Sequence, residues 1–195
     1  MELIPDDTTP LDPDESEGLL VPGISTRGAL NKIEQLNIDD ALRWLSRQKH
    51  TIVSVTDDLF LRNLHKHMFG QVWSWAGRYR TTLKNIGVEP ELVAISVRDA
   101  CKNARLWVEH PGDWSHDQIA VRYHYLLVRV HPFANGNGRW SRLAGDLLVQ
   151  SLGEPIFSWG GTSLGDPTET RAQYLAALRQ ADSGKFHALI KFARA

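Results

Sequence analysis

Apolar residues recur at helical spacing along most of this chain, and this periodicity limits the fold class more than any other feature. In the segment that Thr56 opens, Leu59, Phe60, Leu64 and Met68 are expected on one helix face. Helical spacing is also found over residues 27–36, 38–49, 96–110, 116–130, 138–151, 168–181 and 185–193, and the first two of these segments could run together. The pattern predicts an all-α fold and shows no internal repeat.

One segment departs from this pattern. The stretch "RYRTTLKNIGVEPELVAISV" carries a threonine pair, Gly87 and Pro90 between short β-compatible runs. Such runs, separated by turn-forming residues, favour a small β-hairpin within the otherwise helical chain.

Composition limits the setting of the protein. The 195 residues include 22 basic and 23 acidic side chains, so no overall field attracts nucleic acid or a membrane surface. Cys101 is the single cysteine, which excludes an internal disulfide framework. No apolar run reaches the roughly 20 residues of a membrane span, and the acidic start lacks the basic region of a signal peptide. We therefore expect a cytoplasmic protein without direct nucleic-acid or membrane binding.

Two parts are expected along the chain. Residues 1–24 mix prolines, acids and turn formers without a helical period, which predicts an extended N-terminal arm. Ser25 or Thr26 can cap the first helix, so residues 25–195 are expected to form the folded domain.

The stretch "HPFANGNGRWSR" carries the clearest chemical signal. Pro132 disfavours helical geometry at His131, which places this histidine at or past a helix end. The glycine-rich loop that follows opens the next helix, where free backbone N–H groups and the helix dipole favour an anion. An imidazole beside such an anion site could take a proton from an attacking hydroxyl. The loop predicts a phosphate site whose candidate residues are Gly136, Asn137, Gly138, Arg139 and Arg142.

This stretch resembles the signature of the Fic/DOC family, His-x-Phe-x-(Asp/Glu)-Gly-Asn-Gly-Arg-x-x-Arg. The likeness extends to "WAGRYRT", the flap-like segment after it and the helix order, and it covers nearly the whole chain from Ser25. The segments "IPDDTTPLDPDESEGLL", "NKIEQLNI" and "KNIGV" resemble more narrowly the small bacterial branch labelled mobile mystery protein B. The expected fold is a Fic-like helical bundle with one β-hairpin flap.

The resemblance implies transfer of AMP from ATP to a Ser, Thr or Tyr hydroxyl of a target protein. His131 is then the catalytic base, Phe133 a core anchor, and the glycine-rich loop with both arginines the triphosphate site. The flap would align the target segment by strand-like pairing through Thr82, Leu83, Lys84, Asn85 and Ile86. The branch further implies a bacterial, toxin-like protein with a helix-turn-helix partner protein.

Asn135 departs from the family pattern, in which an acidic residue binds Mg²⁺. An amide oxygen can coordinate Mg²⁺ but lacks the attraction of a full charge, so weaker metal affinity is expected. Three outcomes stay open: AMP transfer at higher Mg²⁺, transfer of another phosphate-linked group, or nucleotide binding without turnover.

Glu34 in "LNKIEQLN" resembles the glutamate of the family's inhibitory helix, here residues 25–36. In the family this glutamate pairs with the second motif arginine, which corresponds to Arg142, and displaces the γ-phosphate. Leu30 and Gln35 depart from the helix motif, and a solvated glutamate on a helix face is the competing interpretation.

Several other residues were weighed against ordinary structural roles. His65 and His67, two apart, are expected on the surface, and His124 is expected to pack in a partly buried position. Trp140 could face solvent or the nucleotide, and Arg142 could pair with Asp146 one turn later.

Two functions compete with AMP transfer. One is phosphotransfer of the DOC type, although that branch departs at the second glycine and first arginine, which are intact here as Gly138 and Arg139. The other is a regulatory protein that binds nucleotide or a partner without turnover.

Overall fold

The computed structural model describes residues 18–161 and 167–195, which include eight α-helices and a short 3-10 helix. The helices are α1 (Arg27–Leu45), α2 (Ile52–Val55), α3 (Asp58–Phe69), α4 (Val93–Glu109), α5 (His116–Val130), α6 (Asn137–Ser151), α7 (Pro167–Asp182) and α8 (His187–Arg194), and the 3-10 helix spans Pro90–Leu92. The predicted helical fold is confirmed.

Side-chain caps explain the starts of four helices, α1, α2, α3 and α5. The side chain of Thr26 accepts a hydrogen bond from the Ala29 N–H, and α1 then continues through Asn37 as one helix. Asp57 caps α3 in the same way, and α3 ends at Gly70 as expected. Ser115 and Gln118 form a reciprocal capping box at the start of α5. The short helix α2, which Thr51 caps, has no counterpart among the sequence predictions.

The central helix α5 packs against both α4 and α6, and also contacts α8. Helix α1 lies along α3, and α7 packs on α8. The core between them is rich in large side chains, and its fully buried members include Leu61, Leu64, Met68, Phe69, Ile119, Tyr123, Leu127, Phe133, Trp140, Leu148 and Leu189. Because α5 and α6 pack together, the loop that joins them lies at one end of the bundle.

The predicted inward face of α3 is confirmed at Leu64 and Met68 but is wrong at Leu59. Leu59 is 62% exposed and Phe60 is only partly buried, whereas Leu61, Leu64, His65 and Met68 face the core. The buried stripe keeps the 3.6-residue period but begins at Leu61.

The predicted β-hairpin is not formed. Residues 81–87 form an exposed loop without strands, and the isolated antiparallel bridge between Leu19 and Trp73 lies outside this segment. A two-stranded hairpin of this length is marginal in water unless it packs on a third strand or a helix. We call residues 81–87 the flap loop.

The arm prediction lies mostly outside the described residues, because residues 1–17 are not among them. Its last part joins the body where the Leu20 N–H bonds to the Val72 carbonyl at 2.8 Å and the Ser74 N–H bonds to the Gly18 carbonyl at 2.9 Å. In the part of the chain described, no helix is both long and apolar enough to cross a bilayer.

Candidate active site

His131 terminates α5, as the sequence predicts. It adopts the left-handed conformation, with φ 52° and ψ 59°, and its N–H still bonds to the Leu127 carbonyl at 3.3 Å. A residue with a Cβ rarely adopts this conformation, and it persists only where its surroundings enforce it. The side chain of His131 thereby leaves the helix direction at the start of the glycine-rich loop.

The surroundings of His131 favour its neutral form. Partial burial and, next in size, the positive charges of Arg80 and Lys84 together lower the pKa of its imidazole to about 4. At neutral pH the ring is therefore unprotonated and can accept a proton.

Phe133 and Asn137 give the loop its shape. The Phe133 ring is fully buried, stacks on His65 with 3.7 Å between ring centroids, and meets Trp140 edge-on at 4.9 Å. The Asn137 side chain accepts from the Phe133 N–H and donates to the Phe133 carbonyl, each at 2.9 Å. The amide of Asn137 is thus used inside the loop, and only its backbone N–H remains for an anion.

The start of α6 fits an anion site. Gly136 occupies the N-cap with φ 79°, where a Cβ would come within 2.6 Å of the Phe69 ring, so glycine is required. No side chain of the described residues caps this helix, and the first intrahelical bond runs from the Trp140 N–H to the Gly136 carbonyl. A Cβ on Gly138 would meet nothing within 4 Å, so the first turn is open to a ligand.

The two motif arginines have different partners. The Arg139 guanidinium donates to Glu34 at 2.5 Å and lies 4.9 Å from the centre of the Phe69 ring. Arg142 donates from Nε to the Gly138 carbonyl at 3.2 Å, and its guanidinium lies 5.4 Å from the Tyr174 ring. Arg139 is therefore held by a carboxylate, whereas Arg142 is held by a carbonyl and an aromatic face.

Glu34 is not a solvated side chain. Glu34 is only 1% exposed. One carboxylate oxygen binds Arg139, and the other accepts a hydrogen bond from the Trp73 indole N–H at 2.6 Å. The expected partner of Glu34 was the second motif arginine, and this expectation is wrong for the structure, in which the first motif arginine makes the pair. The reason is geometric, because Arg142 turns away toward Tyr174 on α7.

Asn135 is exposed, and its side-chain oxygen accepts from the neighbouring Gly136 N–H at 2.6 Å. Its own carbonyl is bound by the His65 ring at 3.0 Å. Among the described residues no group of three acidic, histidine or cysteine side chains could hold a metal ion. One neutral oxygen that already accepts a hydrogen bond does not fit Mg²⁺ held by the protein itself.

Three sequence expectations near the site are wrong. His65 is fully buried. Its Nδ1 accepts a hydrogen bond from the Gly77 N–H at 3.0 Å, and its Nε2 bonds to the Asn135 carbonyl of the glycine-rich loop. Trp140 is fully buried and donates to the Leu61 carbonyl at 2.9 Å, so it faces neither solvent nor nucleotide. Asp146 accepts from the Phe157 N–H and the Trp159 indole, and no ion pair with Arg142 is formed among the described residues.

His124 and Tyr174 lie behind Arg142. His124 is fully buried, as a packing role requires, and its Nε2 lies 3.1 Å from the Tyr174 hydroxyl. Tyr174 and Trp73 are contacts that sequence reasoning missed, and nothing in their sequence positions signals them. For His65 a signal existed, because it continues the apolar stripe of Leu61, Leu64 and Met68.

The comparisons with known proteins agree with this geometry. Residues 56–149 match the model of the Fic/DOC family. The chain is 32% identical over 186 residues to protein adenylyltransferase fic-1 of Caenorhabditis elegans, covering 90% of this chain and 33% of the relative. It is 28% identical over 182 residues to protein adenylyltransferase Fic of Nematostella vectensis, covering 89% and 39%. The chain thus spans a third or slightly more of the length of these curated relatives.

Solved structures show the same fold. A structure of Fic-1 from Caenorhabditis elegans superposes with a TM-score of 0.66 at 28% identity, covering 94% of this chain and 54% of that one. The BepC protein of Bartonella tribocorum, solved with bound AMPPNP, gives a TM-score of 0.69 at 16% identity over 92% and 95% of the two chains. This chain therefore carries a Fic/DOC family domain, which spans residues 56–149 and contains His131, the glycine-rich loop and both motif arginines.

Proposed function

We propose that this protein is an adenylyltransferase that moves AMP from ATP to a Ser, Thr or Tyr hydroxyl of a target protein. The observation that carries the proposal is the neutral imidazole of His131 beside the uncapped start of α6. The names of the curated relatives support the same activity.

In the proposed reaction His131 takes the proton of the target hydroxyl. The hydroxyl oxygen then forms a bond to the α-phosphorus of ATP, and the bond between that phosphorus and the bridging oxygen breaks. Pyrophosphate leaves with the bonding electrons. The backbone N–H groups of residues 137–139 and the guanidinium of Arg142 hold the β- and γ-phosphates, so that charge on the leaving group is stabilised.

The donor set around Asn135 does not fit a protein-held Mg²⁺, so no step is assigned to a metal. In the proposed reaction Mg²⁺ would enter bound to the phosphates of ATP. Asn135 would offer this ion at most one neutral oxygen ligand.

The flap loop is the proposed docking segment for the target. Its residues are exposed, and their backbone is free of strand pairing in the structure. The proposed docking residues are Thr82, Leu83, Lys84, Asn85 and Ile86. An extended target segment could pair with this backbone, which is recognition by β-strand addition.

Self-inhibition through Glu34 is the second part of the proposal. Its carboxylate occupies the Arg139 guanidinium that a phosphate would otherwise take, and two contacts fix it there. ATP must therefore compete with Glu34 for Arg139, and inhibition acts through the first motif arginine.

The biological setting is also proposed. The segments that resemble mobile mystery protein B support a bacterial, cytoplasmic, toxin-like protein with a helix-turn-helix partner. The curated relatives named above come from animals, and their names describe adenylyltransferases.

The test is mass spectrometry of the purified protein after incubation with ATP, Mg²⁺ and a cell lysate. A gain of an adenylyl group on a hydroxyl side chain is the expected result. A gain of phosphoryl would support the DOC-type reaction instead, and neither product under conditions that show ATP binding would support a regulatory protein.

A further inference from the structure

Arg80 is a buried arginine that the proposed reaction does not use. It is 5% exposed, and every acceptor that the described residues offer it is a backbone carbonyl. A buried guanidinium without a carboxylate partner is costly, so the hydrogen bonds that it makes must repay its burial.

These hydrogen bonds join two segments far apart in sequence. Nε donates to the carbonyl of His131 at 2.7 Å, and Nη1 donates to the Thr82 carbonyl at 2.9 Å. Nη2 donates to the Val88 carbonyl and, at 3.5 Å, to the Val130 carbonyl. One side chain thus contacts both ends of the flap loop and the two residues where α5 ends.

The backbone repeats the same connection. The Arg80 N–H bonds to the Pro132 carbonyl at 2.9 Å, and the Val88 N–H bonds to the Val130 carbonyl at 3.3 Å. Arg80 and Val88 flank the flap loop, and we call this pair the flap neck. The neck is fastened to residues 130–132, while residues 81–87 between its two sides are exposed.

Gly87 shows how close the neck lies to the catalytic base. It adopts φ 101°, and a Cβ built on it would lie 2.7 Å from the His131 Cβ and 2.8 Å from Arg80 Nη2. Only glycine permits this approach without a shift of the backbone.

From these contacts we propose that Arg80 is a positioning residue that fixes the flap neck to residues 130–132, next to the catalytic base. The distance between the hydroxyl of a docked target and the imidazole of His131 is thereby kept constant. This inference rests on the proposed function, since it assigns Arg80 to the target side of that reaction. Arg80 acts through its hydrogen bonds to the backbone carbonyls of the flap loop, the flap neck and the end of α5.

The test compares Arg80→Met and Arg80→Lys with Arg78→Met, since Arg78 is exposed two residues away. Loss of positioning by about 1 Å costs on the order of 100-fold in rate. We expect Arg80→Met to lower kcat/KM for the target protein by about that factor while the Kd of ATP changes less than about twofold. Arg80→Lys keeps the charge but lacks the planar fork, so it should rescue little of the rate. Arg78→Met should behave as wild type.

Gly87→Ala keeps the arginine but places a Cβ against His131 Cβ and Arg80 Nη2, so it disturbs the same neck from the other side and should also lower kcat/KM without loss of ATP affinity. Wild-type rates in folded Arg80→Met would overturn the proposal. So would an equal loss of ATP affinity and transfer, which would indicate general disruption of the domain.

A second measurement does not depend on AMP transfer. In NMR hydrogen exchange the backbone amides at positions 80 and 88 should exchange faster in Arg80→Met than in Arg78→Met. Unchanged exchange would refute the fastening role even if the enzyme is active. Faster exchange in a protein that transfers no AMP would leave the fastening intact and reject only the proposed function.

Discussion

Glu34 on α1 and Arg139 on α6 form a partly buried ion pair at 2.5 Å across 105 positions of sequence, in which the glutamate is the buried partner. The pair joins α1 to the first turn of α6, where the proposed anion site lies. The Trp73 indole fixes the other oxygen of the carboxylate, so Glu34 cannot swing away from Arg139 without breaking a second hydrogen bond.

Glu34→Gln should raise ATP affinity. The amide keeps the size of the side chain but releases the charge-assisted bond, which contributes about 1.5 to 3 kcal/mol. ATP would then bind roughly tenfold tighter or more, because each 1.4 kcal/mol is about a factor of ten. Isothermal titration calorimetry with a non-hydrolysable ATP analogue measures this change, and auto-modification should rise in parallel.

Asp40→Asn is the matched control, since it removes an exposed carboxylate from the same helix. A Glu34→Gln protein that unfolds at lower temperature yet binds ATP as wild type does would show that the pair is only structural.

Much of the fold was predictable from the sequence because amphipathic period and capping residues act locally. Thr26 and Asp57 cap helices where the sequence places them, and Pro132 ends α5 as expected. The flap was mispredicted because strand formation needs a partner segment, and no local pattern reveals its absence.

The chemistry of the loop was predictable in part for the same reason. Contiguous residues supply the glycine-rich turn, so it can be read directly. The other side chains at the site contact residues that are far away in the sequence. Arg80 bonds to the His131 carbonyl, Trp73 bonds to Glu34 on α1, and Tyr174 on α7 contacts His124 and Arg142. Only the three-dimensional packing brings these side chains to the site.

His131→Ala should abolish AMP transfer while changing ATP affinity less than about threefold, because the phosphates are held by α6 and the arginines. His110→Ala, which removes an exposed histidine at the end of α4, is the control. Transfer that persists in His131→Ala would reject the base assignment.

The pH dependence of transfer follows from the lowered pKa of His131. The base must be neutral to act, and its pKa of about 4 leaves it neutral throughout the physiological range. The rate should therefore stay nearly constant from about pH 6 to 8 and fall as the pH drops toward 4. A fall centred near pH 6.5, the value of an ordinary imidazole, would show that burial and Arg80 do not act on this ring.

The buried histidines should make the fold sensitive to acid. Burial lowers the pKa of His65 and of His124 to about 3, so each binds a proton more readily in the unfolded chain. Their stabilisation is complete above pH 6.5 and is lost as the pH falls toward 3. Burial raises the pKa of Asp146 to about 7, so this one group makes the folded protein more stable as the pH falls from 7 to 4. The two histidines act in the opposite direction and outweigh it.

The free energy of unfolding measured in urea at pH 7 and 4.5 tests this expectation. His65→Gln should reduce the difference between the two pH values by roughly 2 to 3 kcal/mol, since about two units of pH separate 6.5 from 4.5. His187→Gln, an exposed substitution, should leave the difference unchanged. An unchanged difference in His65→Gln would mean that His65 is protonated in the folded protein.

Asn135→Asp should restore a charged ligand for Mg²⁺. A carboxylate at this exposed position attracts a dication that the amide oxygen, already bound to the Gly136 N–H, holds poorly. The Mg²⁺ concentration that gives half-maximal AMP transfer should fall by roughly tenfold or more, equal to about 1.4 kcal/mol. Gln48→Glu adds the same charge at an exposed position outside the loop and should have no effect.

If wild type is inactive at every Mg²⁺ concentration while Asn135→Asp transfers AMP, the native protein is a nucleotide-binding regulator. Equal Mg²⁺ dependence in both would show that the metal is held by the nucleotide alone.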